Sequence, residues 1–285
     1  MNIVKTYFFL VCILTPTVFS QDKTDLVNNY YNNTSVYEVV KSDAVTFYNV
    51  GYNLFKSPFQ FDSYDLLITG SILAVTAASF PIDQPIRSGV ATNHNKSLDK
   101  LSFYTEKFGN PKYGTILSGV LYGGGLIFGD NYIRQTGQML AEAMLFNGII
   151  TTGAKMMLGR GRPYINKGSY KLEMFEFEYE FEETSLPSGH TSTAFTVATV
   201  LSQRIDNIYA SIALYSAASL TAFQRIYADK HWFSDTILGA AIGTAVGLKV
   251  VKLHEGDSSS NNKIHYSIYP QMSTSQYGLG FAVQF

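Results

Sequence analysis

The chain has 285 residues, of which 46% are hydrophobic and 15% charged, and its formal charge is -1; ordinary soluble domains carry about 25% charged residues. That length suits one large domain with tails and a sizeable core. The sparse charge tilts the chain toward a membrane setting, and the lack of any Lys/Arg-rich stripe argues against nucleic acid as a partner.

Taken in chain order, the first 21 residues, MNIVKTYFFLVCILTPTVFSQ, place Lys5 ahead of an apolar stretch from Tyr7 to Leu14 and end on Val18-Phe19-Ser20. This is the layout of a secretory signal peptide over residues 1–20, so export is expected. Cys12 is the one cysteine and lies inside that segment, which leaves the mature chain without a disulfide or a thiol nucleophile. A lipid anchor on Cys12 is the weaker alternative, because Val11 is bulkier than the small residue such processing favours.

Residues 21–60 form a polar, aromatic lead-in with a short amphipathic helix near 43–55. Six apolar segments follow, at 66–80, 115–128, 139–158, 191–201, 208–223 and 236–251, separated by stops at Pro81, Gly129-Asp130, Gly159 to Pro163 and Asp206-Asn207. The pattern predicts an all-α fold, a six-helix bundle core. Most segments fall short of the about 20 apolar residues that cross a bilayer, and Glu142 and Asn147 interrupt one of them. With a mean hydropathy of +0.03, short tilted spans and a bundle resting on the membrane both remain open. Small residues in GVLYGGGLIFG and LGAAIGTAVG would let helices approach closely in either setting.

Between the third and fourth segments, Phe175, Phe177, Tyr179 and Phe181 alternate with glutamates. Period-two alternation predicts an extended ribbon, either a solvated edge loop or a lid over the site that follows. At the end of the chain, Tyr277, Leu279, Phe281, Val283 and Phe285 alternate with small or polar residues, which predicts a small C-terminal β-hairpin after a linker, over 254–285. One hairpin cannot close an outer-membrane barrel, which takes about eight strands.

Three polar islands carry the chemistry. In KMMLGRGRP, Lys155 and Arg162 are seven positions apart and could address one anion, though a basic cluster flanking a membrane has the same look. In PSGH, Ser188, Gly189 and His190 open a helix. N–H groups at a helix start attract anions, Gly189 permits close approach and His190 could donate a proton; Ser188 could equally be a plain helix cap. In RIYADKHWFSD, Arg225 is followed by His231 and then by Asp235 at i+4, a spacing that lets the carboxylate orient one ring nitrogen and leave the other free to attack, or that makes a structural pair. Together they offer cations for the equatorial oxygens, a nucleophile and an acid for the leaving group, as displacement at phosphorus requires.

These three islands resemble the signature of the type 2 phosphatidic acid phosphatase and vanadium haloperoxidase superfamily, K-x6-RP, PSGH and SR-x5-H-x3-D, in order and in internal spacing over about residues 61–253. Gln224 stands where the family has serine. The resemblance implies an all-α core and a role for each matching residue: Lys155, Arg162 and Arg225 clamping phosphate oxygens, Ser188 and the Gly189 amide adding hydrogen bonds, His231 attacking, Asp235 orienting it and His190 protonating the leaving oxygen, with no metal or cofactor. It implies a phosphoric monoester hydrolase acting on a phosphorylated lipid or other phosphomonoester. Such an enzyme would be membrane-associated, with its site on the periplasmic or outer side. A soluble acid phosphatase is the alternative within the superfamily. A vanadate haloperoxidase fits less well because the chain is short for that group. A non-catalytic lipid-binding protein would be expected to have lost a member of the set, and none is lost.

Overall fold

Nine helices run through the described residues: α1 (Val36–Lys56), α2 (Ser63–Ala78), α3 (Phe80–Val90), α4 (Lys96–Gly109), α5 (Pro111–Phe128), α6 (Asn131–Leu158), α7 (Gly189–Ile205), α8 (Ile208–Tyr227) and α9 (Phe233–Glu255). The computed structural model describes residues 35–175, 184–256, 265–273 and 276–284. Two compact units divide the chain, Met1–Ala44 and Val45–Phe285, and everything below concerns the second. The signal peptide over 1–20 and most of the aromatic and glutamate ribbon, residues 176–183, lie outside the described residues. Two strands, His265–Ser273 and Gln276–Gln284, pair antiparallel with His265 opposite Gln284.

The six expected apolar segments map onto α2 and α5 to α9, and the helix count rises to nine because α1 is long and because α3 and α4 were not legible as helices. In α3 the prolines read as a stop. Pro81 instead occupies the first turn, where a missing N–H leaves no hydrogen bond unmade. The polar α4 begins at Asn95, whose side chain accepts from the N–H groups of Ser97 and Leu98. Side-chain caps also start α2 (Asp62), α5 (Asn110), α6 (Asp130) and α8 (Asn207). Left-handed Gly129 and Gly159 end α5 and α6.

At the centre α7 packs against α6, α8 and α9. Its buried surface is built largely from small hydroxyl and alanine residues, Thr191, Ser192, Thr193, Ala194, Thr196, Ala198 and Thr199. Their hydroxyls find partners: Thr196 donates to the Ser192 carbonyl, Ser192 donates to Asn147 of α6, and Thr199 meets Tyr215 of α8 at 3.0 Å. A hydrophobic cluster of Val50, Met139, Leu140, Met144, Val197, Val200 and Val250 fills the space beside it. The two polar interruptions of α6 are thereby explained, because Glu142 receives Gln138 at 2.9 Å and faces His254 of α9 at 2.6 Å, while Asn147 receives Ser192. Buried polar groups cost little once paired.

α9 approaches α7 along glycines. A Cβ at Gly243 would lie 2.1 Å from the Ser192 carbonyl oxygen, and one at Gly239 would lie 2.6 Å from that of Ser188. This contact sets the start of α9 against the start of α7. Gly123 on α5, by contrast, has open space around it. Gly243→Ala is therefore expected to destabilise the protein by about 1–3 kcal/mol through overpacking, whereas Gly123→Ala should raise stability by about 0.5–1 kcal/mol through helix propensity. Thermal unfolding of both variants beside wild type checks the opposite signs.

Candidate active site

Each chemical side chain sits at a helix end, and the helix ends meet. Lys155 lies in the last turn of α6, Arg225 in the last turn of α8, and Gly189 and His190 in the first turn of α7. The left-handed Gly159, φ +51°, terminates α6 so closely against Glu173 that a Cβ would lie 2.1 Å from its carbonyl oxygen. That turn releases the chain toward Arg160 and Arg162, both buried.

Lys155, Arg162 and Arg225 are 8%, 5% and 6% exposed. Lys155 donates to the carbonyl of Thr184 and, at 3.4 Å, to that of Ser185, and its Cε lies 3.7 Å from where a Gly189 Cβ would be. Burial and the neighbouring Arg162 and Arg225 lower its pKa to about 7. Arg225 falls to about 10 through burial and the charge of Arg162, with Glu106 opposing. Glu106 of α4 stands 3.8 Å from the Arg225 Nη1, which also donates to Gln224 at 3.3 Å. The departure from the family pattern at 224 thus supplies an acceptor that holds the guanidinium. The Arg225 Nε is buried and has no hydrogen-bond partner among the described residues.

His190 shares this field. Burial, then Arg225, Arg162 and Lys155, depress its pKa to about 3, so the imidazole is neutral at neutral pH. His231 is pushed well below the ordinary range by burial, with Lys155 and Arg225 acting in the same direction and Asp235 against. The mutual influence of these groups brings Lys155, Arg162, His190, Arg225, His231 and Asp235 into one neighbourhood.

The support of His231 differs from what i,i+4 spacing suggests. Its Nδ1 donates to the Ser185 carbonyl oxygen at 2.8 Å, and Asp235 Oδ2 lies farther off at 3.5 Å. His231 precedes α9, which begins at Phe233, so helical i,i+4 geometry does not govern the pair. A carbonyl can only accept, so Nδ1 carries the hydrogen and Nε2 keeps its lone pair. Asp235 accepts from Ser185 Oγ and from the Trp232 N–H at 2.8 Å. Burial would raise its carboxyl, and the neighbouring His231, the Arg160 charge and Ser185 outweigh that and hold it at about 2.

Ser188 takes the capping position at α7, its Oγ accepting from Thr191 Oγ1 at 2.9 Å, and it is fully buried. Its backbone N–H donates to the Asp235 carbonyl at 2.9 Å, locking the second island to the third. Ser185, Arg160 and Asp83 belong to this neighbourhood and carry no role in the sequence reading. Arg160 lies inside the first island and Ser185 two positions before the second, whereas nothing local marks Asp83.

An anion entering this field favours the charged forms of Lys155 and His190 and so raises both pKa values. Inorganic phosphate is expected to bind with net proton uptake at about pH 8, above the pKa of the empty-site Lys155. Binding enthalpies in two buffers of different ionisation heat measure this, and Lys155→Met should diminish the uptake.

A family model described as the PAP2 superfamily matches residues 138–258. A lipid A 1-phosphatase of Porphyromonas gingivalis is 46% identical over 65 residues, 22% of this chain and 15% of that protein. A lipid A 4'-phosphatase of the same organism is 25% identical over 118 residues, 41% of this chain and 50% of that protein. The chain thus spans half or less of the length of the curated relatives it matches. Among solved structures, the first transmembrane PAP2 type phosphatidylglycerolphosphate phosphatase from Bacillus subtilis aligns with a TM-score of 0.51 at 16% identity, over 69% of this chain and 98% of that one, which is a likeness of fold. All three islands fall inside residues 138–258, the segment that the PAP2 superfamily model matches.

Proposed function

We propose that this protein is a metal-independent lipid phosphatase that cleaves a phosphate monoester or diphosphate through a phosphohistidine on His231. The observation that carries the proposal is the buried cationic cluster, above all the Arg225 Nε that has no hydrogen-bond partner among the described residues. A buried donor without an acceptor is costly, and a phosphoryl oxygen removes that cost.

In this reading Lys155, Arg162 and Arg225 hold the phosphoryl oxygens, and the Gly189 N–H at the start of α7 adds a donor where the helix dipole favours negative charge. The His231 Nε2 lone pair attacks phosphorus. The P–O bond to the leaving group breaks, and that oxygen takes a proton from His190. The bound phosphate, being anionic, is what restores the His190 proton that the empty pocket expels. Water then attacks the phosphohistidine, gives its proton to His190, and the P–N bond breaks. Asp235 and Ser185 hold the Nδ1 side of the ring throughout.

A lipid is favoured as the leaving group by the outer surface. Leu66, Leu67, Leu73 and Val75 on α2 and Ile116, Val120, Ile127 and Phe128 on α5 are exposed, Phe128 to 85%. Exposed apolar area on this scale marks a membrane or partner surface. By length and composition, α9 could cross a membrane among the described residues, as could α2 and α3 taken as one span bent by 54°. The named relatives act on lipid A, which makes its phosphates the first substrates to test. We place the site on the exported side.

A phosphate-release panel tests this, with lipid A phosphates, phosphatidate, phosphatidylglycerophosphate and a polyprenyl diphosphate in detergent set beside soluble monoesters. A higher kcat/KM for a lipid ester supports the proposal, and turnover confined to soluble esters contradicts the lipid assignment. Because Lys155 must be charged to clamp phosphate and the His190 acid takes up its proton only with the substrate, kcat/KM should already fall about tenfold per unit at neutral pH and about a hundredfold per unit above about pH 7, a second break that Lys155→Arg should remove. His231→Ala should cost more than about 10⁴-fold on every ester. His190→Ala should cost about 10²–10⁴-fold on poor leaving groups and much less on good ones. Equal losses on both ester kinds would contradict the separate roles.

A further inference from the structure

Two groups outside the pocket hold the supports of His231. Asp83 on α3 and Arg160, just beyond α6, have side chains with no solvent exposure. Arg160 Nη1 donates to Asp235 Oδ1 and to Ser234 Oγ, each at 2.6 Å. Its Nη2 donates to Asp83 Oδ2 at 2.7 Å and its Nε to the Ser169 carbonyl at 3.0 Å. The guanidinium lies over the Phe80 ring at 4.0 Å. Asp83 accepts from the Ser234 N–H at 2.8 Å and from Ser234 Oγ at 2.6 Å. Trp232, the residue before α9, offers no side-chain cap, so Asp83 caps that helix from 151 positions away in sequence.

The backbone of Arg160 reaches the other support. Its carbonyl accepts from the Ser185 N–H at 2.9 Å, and the Ser185 carbonyl accepts from His231 Nδ1. Both acceptors beside Nδ1, one a carbonyl and one a carboxylate, therefore hang on a single residue. The fork of Arg160 also separates two buried carboxylates. Without it Asp83 and Asp235 would face each other out of water, and one would take up a proton. Lysine, a point charge on a flexible stem, cannot serve both carboxylates and the Ser169 carbonyl at once.

We propose that Arg160 and Asp83 are positioning residues of the reaction, tying both acceptors around the His231 Nδ1–H to α3 so that Nε2 stays aimed at phosphorus. The proposal rests on the phosphatase reading above, yet its geometric half can be examined without turnover.

The experiment compares the full-length protein with Arg160→Lys and Asp83→Asn in detergent, by ¹⁵N-histidine NMR and by steady-state kinetics. In wild type His231 should be the Nδ1–H tautomer. In Arg160→Lys that signal should move toward a mixture of tautomers, and kcat should fall about 10²-fold, the scale of a small misplacement. KM should change little, because the cation clamp is untouched. The loss should be the same for good and poor leaving groups, since the nucleophile and not the acid is displaced. Asp83→Asn keeps the size and the Ser234 contact and should cost about tenfold in kcat; it is read in place of Arg160→Lys if that variant does not fold. A folded variant with the wild-type tautomer and wild-type kcat would overturn the proposal, as would parallel loss of kcat and KM with an unchanged tautomer. A wild-type protein that releases phosphate from no ester sinks the phosphatase reading alone, and the tautomer comparison then decides the positioning.

Discussion

Three cations buried in one neighbourhood are the constraint on which the rest of the structure depends. Lys155, Arg162 and Arg225 are each less than one-tenth exposed, and their crowding brings Lys155 to about 7 and Arg225 to about 10. Crowding like charges out of water is uphill on its own. A bound phosphoryl group reverses its sign, and donors already fixed in place need no reorganisation when charge moves during reaction. The same field keeps His190 and His231 neutral, which in the proposed reaction suits a nucleophile at rest and makes the acid dependent on the substrate's own charge.

The helix ends make that crowding tolerable. Lys155 and Arg225 each sit in the last turn of a helix, where the backbone dipole favours a cation. The first turn of α7 presents its positive end beside them, where an anion would lie. Holding two C-termini and one N-terminus together requires close packing, and glycines provide it: Gly243 and Gly239 bring α9 against the α7 backbone. Once the helices meet this closely, the Ser188 N–H reaches the Asp235 carbonyl and the Ser185 carbonyl reaches His231. Packing and chemistry are therefore the same contacts.

Much of this was legible in the sequence. The apolar segments with their Gly and Asp stops located six of the helices, because hydrophobic runs and caps are local signals. The islands marked residues that the fold brings to neighbouring helix ends, because a polar group at the end of an apolar run is also a local signal. What the sequence hid was long-range. The helix α3 was masked by Pro81, whose first-turn placement only the fold reveals, and α4 by a polar sequence without an apolar run. Asp83 caps a helix 151 positions distant, and Arg160 looked like one more residue of a glycine turn. The spacing of His231 and Asp235 suggested a direct pair, whereas the histidine lies before α9 begins and gives its hydrogen to Ser185. Ser188, open between cap and ligand, is seen capping α7.

The account stands or falls on whether His231 becomes covalently bonded to phosphorus. The stereochemistry at phosphorus reports this without requiring an intermediate to accumulate. A phosphorothioate ester made chiral with one heavy oxygen isotope, hydrolysed in water carrying another, yields a product whose configuration can be assigned. Net retention, from two in-line displacements, is the result expected of attack by His231 followed by water. Net inversion would mean that water attacks the ester directly, and His231 would then have to be assigned another role.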